Sequence, residues 1–333
     1  MDPLTQGTLG AALPQATSNK AQVAVAGVLG FVAGMTPDLD VLIRSDTDPL
    51  LYLEYHRQFT HSLIFIPVGG LLCALVLHWI VGQRWGLTFG RTFLFCTLGY
   101  ATHALLDSCT SYGTVLFWPF SDERFSWSVV SIIDPVFTVP ILVLILLAGF
   151  RRKPWLARIA LVWAVCYLGI GLVQHRAALA MGEQIAASRG HTPVRIEAKP
   201  SFANILVWKI IYETPERFYV DAVRANIRPR VFPGVSLAKL DIARDLPWLD
   251  FDTQQARDID RFSWFSDGYV SEDPERPNRI IDVRYSLLPN DARALWSIDV
   301  VPNAPPTAHA SFQTHRGDPS SRLGTLWQMV SGD

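Results

Sequence analysis

SLIFIPVGGLLCALVLHWIVG, Ser62–Gly82, is the stretch on which the fold of this chain turns. Its 21 residues include no Asp, Glu, Lys or Arg, and His78 is its single basic side chain. At about 1.5 Å of rise per residue, a helix of that length crosses about 30 Å of hydrocarbon. The stretch reads as a membrane span. Four further apolar runs lie on either side of it: Ala21–Met35, rich in Gly and Ala and stopping at Pro37; Thr92–Leu106, interrupted by His103; Ile132–Gly149; and Leu156–Val173. Residues 3–13 are apolar but too short to cross, and are expected as a half-helix folded back into the bundle.

The charge distribution supports a division into two parts. Of the 59 Asp, Glu, Lys and Arg in 333 residues, 23 fall in residues 1–190 and 36 in the shorter remainder. Half of all residues are hydrophobic, and 11 Trp with 18 Phe require burial, which excludes a disordered chain. A net charge of −1 without a basic stripe argues against direct nucleic-acid binding. Four cysteines without a CxxC pair give neither a disulfide framework nor a zinc ribbon.

Short-loop charge sets the orientation. Loop 82–91 carries Arg84 and Arg91, and loop 150–158 carries Arg151, Arg152, Lys153 and Arg158, with no acid in either. Both are expected to be cytoplasmic. Alternating the spans then places the N-terminus inside and loops 36–61 and 107–131 outside, together with the chain after Val173. No cleavable signal peptide is expected, since Met1-Asp2-Pro3 is not a basic leader. Beyond a helical piece ending at Ser188, the runs Tyr219–Ile227, Ile280–Leu288, Leu295–Val301 and Ala308–Thr314 read as strands, with helices around 236–262. Ala203–Ile211 is compatible with strand or helix. The expected architecture is an all-α polytopic membrane bundle of about five spans (1–175), a connecting helix (176–190), and a small extracytoplasmic α+β or mostly β domain (191–333).

Ionisable groups inside or at the rim of membrane helices are functional candidates, because taking them out of water is costly. Four clusters stand out: Asp38 and Asp40 in TPDLD; His56, Arg57 and His61 in HRQFTHS; His103 and Asp107, an i, i+4 pair on one helical face; and Asp134-Pro135. The loop charges put all four at the same outer rim. Imidazole with carboxylate suits a divalent metal, with Zn, Mn and Mg not distinguished. Asp38, Asp40, His56, His61, His103 and Asp107 are the candidate ligands, with Arg57 to steady an anion and Asp134 to orient a ligand. The competing reading is an internal ion-pair network, Arg57 with Asp38 or Asp107.

As a set, Asp2-Pro3-Leu4-Thr5-Gln6-Gly7, TPDLD, HRQFTHS, His103-Ala-Leu-Leu-Asp107, Trp118-Pro119-Phe120-Ser121 and Ile133-Asp134-Pro135 resemble the YdjM-like family of bacterial inner-membrane metal-dependent hydrolases, over residues 1–175. The resemblance implies an inner-membrane location, a metal site and a LexA-type partner. The family carries His after the N-terminal Thr, where this chain has Gln6; that position is left outside the ligand set, with a supporting role open to it. Two functions follow as expectations. One is a membrane-embedded metal-dependent hydrolase with its site at the outer rim, acting on lipid or lipid-linked esters or phosphoesters. The other is a non-enzymatic membrane-anchored binding or regulatory protein with a structural polar network.

Overall fold

The computed structural model describes residues 1–226, 228–315 and 319–332; Ile227, the end of one expected strand, lies outside them. The chain forms two compact units, Met1–Leu42 with Tyr55–Val173 and Phe202–Asn204, and Ile43–Glu54 with Gln174–Ser201 and Ile205–Asp333.

Helix α1 (Pro3–Thr17) starts where sequence chemistry favours it, with Pro3 in the first turn and the Asp2 carboxylate accepting from the Thr5 amide at 3.0 Å. It packs on α2 (Val23–Met35), which tightens into a 3-10 segment over Thr36–Leu42. Short α3 (Leu51–Tyr55) follows, then α4 (Ile66–Leu77), α5 (Phe89–Ser108), α6 (Pro135–Arg151) and α7 (Pro154–Ser188). The sequence suggests a break near 175, but α7 is one helix of 35 residues.

Among the described residues, three helical stretches are long and apolar enough to cross a membrane, Val23–Leu42, Leu63–Trp85 and Pro154–Ser188, in place of the five expected spans. The difference has two causes. α6 is apolar but has only 17 residues. α5 has 20, but Arg91, Thr92, Thr102, His103 and Asp107 lower its hydropathy, and the last four are buried within the bundle. Exposed Leu72, Val76, Trp79, Val162 and Val165 give α4, the turn after it and α7 an apolar outer surface.

Backbones at the centre of this unit approach too closely for side chains. A Cβ on Gly30 would lie 2.3 Å from the Gly10 carbonyl oxygen, and one on Gly99 would lie 2.5 Å from that of Gly30. Small residues allow such crossings in helices that have no hydrophobic drive toward one another in lipid. The result brings α1, α2 and α5 together. Counting spans places the N-terminus inside, but α1 folds back, so Met1 pairs with Asp107 and the Asp2 amide with the Ile132 carbonyl at 3.1 Å.

The second unit carries two antiparallel four-stranded sheets. Strands β1 (Arg195–Pro200), β2 (Val207–Glu213), β3 (Arg217–Arg224) and β4 (Arg230–Ala238) form the first in that order. β5 (Val270–Glu272), β6 (Arg279–Asp282), β7 (Trp296–Asp299) and β8 (Ser311–Thr314) form the second. Thus 203–211 resolves toward strand, and residues 236–238 continue β4 where a helix is expected. Helices α8 (Ile242–Asp245), α9 (Gln254–Phe265) and α10 (Pro319–Ser331) complete the unit. Ile211, Phe218, Val220, Tyr269, Ile281 and Val283 pack as one core between strands of both sheets. Leu326 and Met329 of α10 cover Val207 and Ala222 of the first sheet.

Candidate metal centre

Pro37 lies in the turn that ends α2, and the two carboxylates that follow face different partners. Asp38 Oδ1 lies 3.5 Å from His61 Nε2 and 3.3 Å from His103 Nε2. Asp40 is almost fully buried and holds the following loop. Its Oδ1 meets His56 Nδ1 at 2.7 Å, and its Oδ2 accepts from the Arg57 amide at 2.9 Å and the Thr60 hydroxyl at 3.0 Å. The Arg57 backbone is left-handed, with φ 64°, a costly conformation for a residue with a Cβ. The bond from Asp40 to its amide helps to hold that turn and so aims His61 inward. On α5 the i, i+4 spacing stacks His103 above Asp107, both fully buried.

These residues meet at one point. One donor atom from each of Asp38, His61, His103 and Asp107 lies within 4.8 Å of the other three. Asp107 Oδ2 is 3.4 Å from His61 Nε2 and 3.6 Å from His103 Nε2. Such separations exceed good hydrogen bonds of about 2.7–3.2 Å. A tetrahedral ion with bonds of about 2.0–2.2 Å to nitrogen and oxygen would space its ligand atoms by about 3.3–3.6 Å. His61 Nε2 and His103 Nε2 also make no hydrogen bond among the described residues, although both are buried. The cluster can therefore hold a divalent ion, while its charged groups also pair among themselves.

The far sides of the imidazoles are fixed in the manner of metal-bound histidines. His103 Nδ1 meets the Gly34 carbonyl at 2.6 Å, and His61 Nδ1 lies 3.0 Å from the Thr60 hydroxyl and 3.3 Å from Asp40 Oδ2. Asp40 and His56, with Asp38, form a second possible donor group beside the first. Arg57 Nε pairs with Asp107 Oδ2 at 3.0 Å, and its guanidinium lies over the Tyr112 ring at 4.6 Å. The ion pair weighed as the competing reading is thus present, with Asp107 as the acid. Asp134 accepts from the amides of Val136 and Phe137 at the start of α6, and from the Tyr167 hydroxyl at 2.9 Å. Its recorded partners include none of the cluster residues.

Three participants lie outside the ligand set read from the sequence. Gln6, left out of the ligand set, donates from Nε2 to Asp107 Oδ1 at 2.7 Å. Its signal was the Gln standing where the resembling family has His. The Gly34 carbonyl had no comparable signal, since a backbone oxygen is invisible to motif reading, and Thr60 stands inside HRQFTHS with nothing to single out its hydroxyl.

A family model described as the YdjM inner membrane protein matches residues 1–178, just over half of the chain. The chain belongs to the YdjM inner membrane protein family. The inner membrane protein YbcI of Escherichia coli (strain K12) is 40% identical over 110 residues, which are 31% of this chain. The match spans 60% of that relative's length. No solved structure matches. This YdjM-family protein is thus a multi-spanning inner-membrane protein, and every residue of the His/Asp cluster lies within the matched region. The strands of the second unit lie beyond it, and their two sheets are consistent with an extracytoplasmic domain.

Proposed function

We propose that the protein is a non-enzymatic, membrane-anchored binding or regulatory protein whose His/Asp cluster is a structural centre. The carrying observation is closure. Asp38, His61, His103 and Asp107 already face one another as four protein groups, and Asp107 is further tied by Arg57 and Gln6. Structural metal sites use four protein ligands, whereas catalytic sites keep a position open for water. The buried, orphaned nitrogens fit a divalent ion. Held by those four residues, such an ion would neutralise the carboxylates and cross-link the end of α2, the 56–62 turn and α5. The second unit is then the working surface.

Element analysis and thermal unfolding of the full-length protein, with His61→Ala and His103→Ala, test this reading. Both variants are expected to unfold at lower temperature, since breaking a buried charged network costs about 3–5 kcal/mol. A turnover that His103→Ala abolishes at unchanged melting temperature would overturn it.

A second reading, the metal-dependent hydrolase, is favoured by one observation. Asp38 is about one-fifth exposed while the other three side chains are sealed, which leaves an approach over that carboxylate. In this reading Asp40 and His56 extend the ligand set and Arg57 steadies an anionic oxygen, while Asp134, tied to Tyr167 and the start of α6, takes no direct part. A bound divalent ion would supply an acidified water. Lipid or lipid-linked esters or phosphoesters are its substrate class, and a LexA-type partner rests on the family resemblance alone. Metal-dependent hydrolysis of a phospholipid ester by wild type, lost in His61→Ala, is its expected signature. A metal-free wild type excludes it.

A further inference from the structure

Away from the His/Asp cluster, a cavity of about 470 Å³ opens among α1, α2 and α6. Val28, Phe31 and Val32 of α2 and Ile145 and Leu146 of α6 give it an apolar wall. One polar group interrupts that wall. Gln15, only 4% exposed, lines the cavity; its Nε2 donates to the Ile145 carbonyl at 3.2 Å, while its Oε1 has no hydrogen-bond partner among the described residues. The amide lies over bare backbone, because a Cβ on Gly27 would fall 2.3 Å from Gln15 Nε2. An acyl chain alone would cover the apolar wall and leave this acceptor unpaired. An occupant with a hydroxyl or amine donor beside its hydrocarbon would pair this acceptor.

Charge narrows the choice. Trp85 and Phe150 also line the cavity, and each follows or precedes an arginine, Arg84 and Arg151. Arg158 donates from Nε to the carbonyl of Ala16, next to Gln15, at 3.1 Å. The two loops carrying these arginines hold six Lys and Arg and no acid, the pattern of a cytoplasmic face. No charged residue lines the cavity itself, but the basic loops next to it in sequence suit an anionic head group at its cytoplasmic end. We propose that this cavity binds one anionic phospholipid of the cytoplasmic leaflet whose head group bears a free hydroxyl, of the phosphatidylglycerol type. One acyl chain lies between α2 and α6, the head-group hydroxyl donates to Gln15 Oε1, and the phosphate faces the arginines.

Native mass spectrometry of the delipidated full-length protein, titrated with phosphatidylglycerol or phosphatidylcholine of identical acyl chains, tests this. One phosphatidylglycerol is expected to bind about tenfold more tightly than phosphatidylcholine, and Gln15→Leu to remove most of that preference. Val28→Trp, at a half-exposed position that tolerates bulk, fills the cavity and should abolish the single-lipid adduct. Equal binding of the two lipids, or an undiminished phosphatidylglycerol adduct in Val28→Trp, overturns the proposal.

Discussion

A few side chains set the chemistry of both units. Asp40 shows how one buried carboxylate governs a loop, since it takes bonds from His56, the Arg57 amide and Thr60 together. Asp40→Ala strands these donors in a buried site and is expected to cost about 3–5 kcal/mol, read as a lower melting temperature in detergent. Asp40, His56 and His61 were legible as candidates because ionisable groups are rare in that part of the chain. Their division of labour was not legible, because it depends on which way a non-helical turn points each side chain. In the second unit Lys209 is the exceptional residue. The residue is 3% exposed, its amino group has the Ser286 hydroxyl at 2.7 Å and the Asp291 carbonyl at 3.1 Å, and burial pushes its pKa from 10.5 down to about 7. Between those values the unfolded chain holds a proton that the folded chain lacks, so this group's contribution to stability rises with pH from about 7 upward and is lowest below it. Thermal unfolding followed across pH 7 to 10 should show that rise, and Lys209→Met should flatten it.

Glycine decides how the elements of the membrane unit cross. Gly10, Gly30, Gly34 and Gly99 let α1, α2 and α5 touch backbone to backbone, and that approach brings the Gly34 carbonyl to His103. Gly30→Val has no room against the Gly10 carbonyl and Pro14, and is expected to cost about 1–3 kcal/mol by overpacking, or more where the crossing cannot yield. Gly90→Ala, with open space around it, serves as the matched control and should leave the melting temperature unchanged. An apolar run announces a helix, so α2, α4 and α7 were legible. From sequence, the Gly-rich composition of Ala21–Met35 is only a property of the run. Which neighbours those glycines admit depends on side-by-side placement that no local pattern encodes. α5 reads as a span from its apolar run, although its polar residues, His103 and Asp107 among them, lower its hydropathy and turn into the bundle.

At the scale of the whole chain, the division does not follow the sequence in one cut. The segment Ile43–Glu54 lies between Asp40 and His56, yet it belongs to the second unit. There Arg261 of α9 meets Asp48 at 2.8 Å and also pairs with Glu54 and with Asp258. Arg261→Ala leaves these partly buried acids without their shared cation, and should weaken the docking of the segment by about 1–3 kcal/mol. Limited proteolysis should then cut within 43–54 faster than in the wild type, and an unchanged cleavage rate would refute the clamp. By itself the sequence determined that a charge-poor, helical, membrane-spanning part precedes a strand-rich part, and that a handful of His and Asp stand out in the first. Periodicity, run length and loop charge are local quantities, and they suffice for that. Tertiary structure alone decided that the folded-back α1 ends beside Asp107, that four side chains close on one point, that Gln6 reaches Asp107, and that 43–54 belongs with the second unit. Each of these rests on contacts between residues far apart in the chain, where only packing fixes the partner.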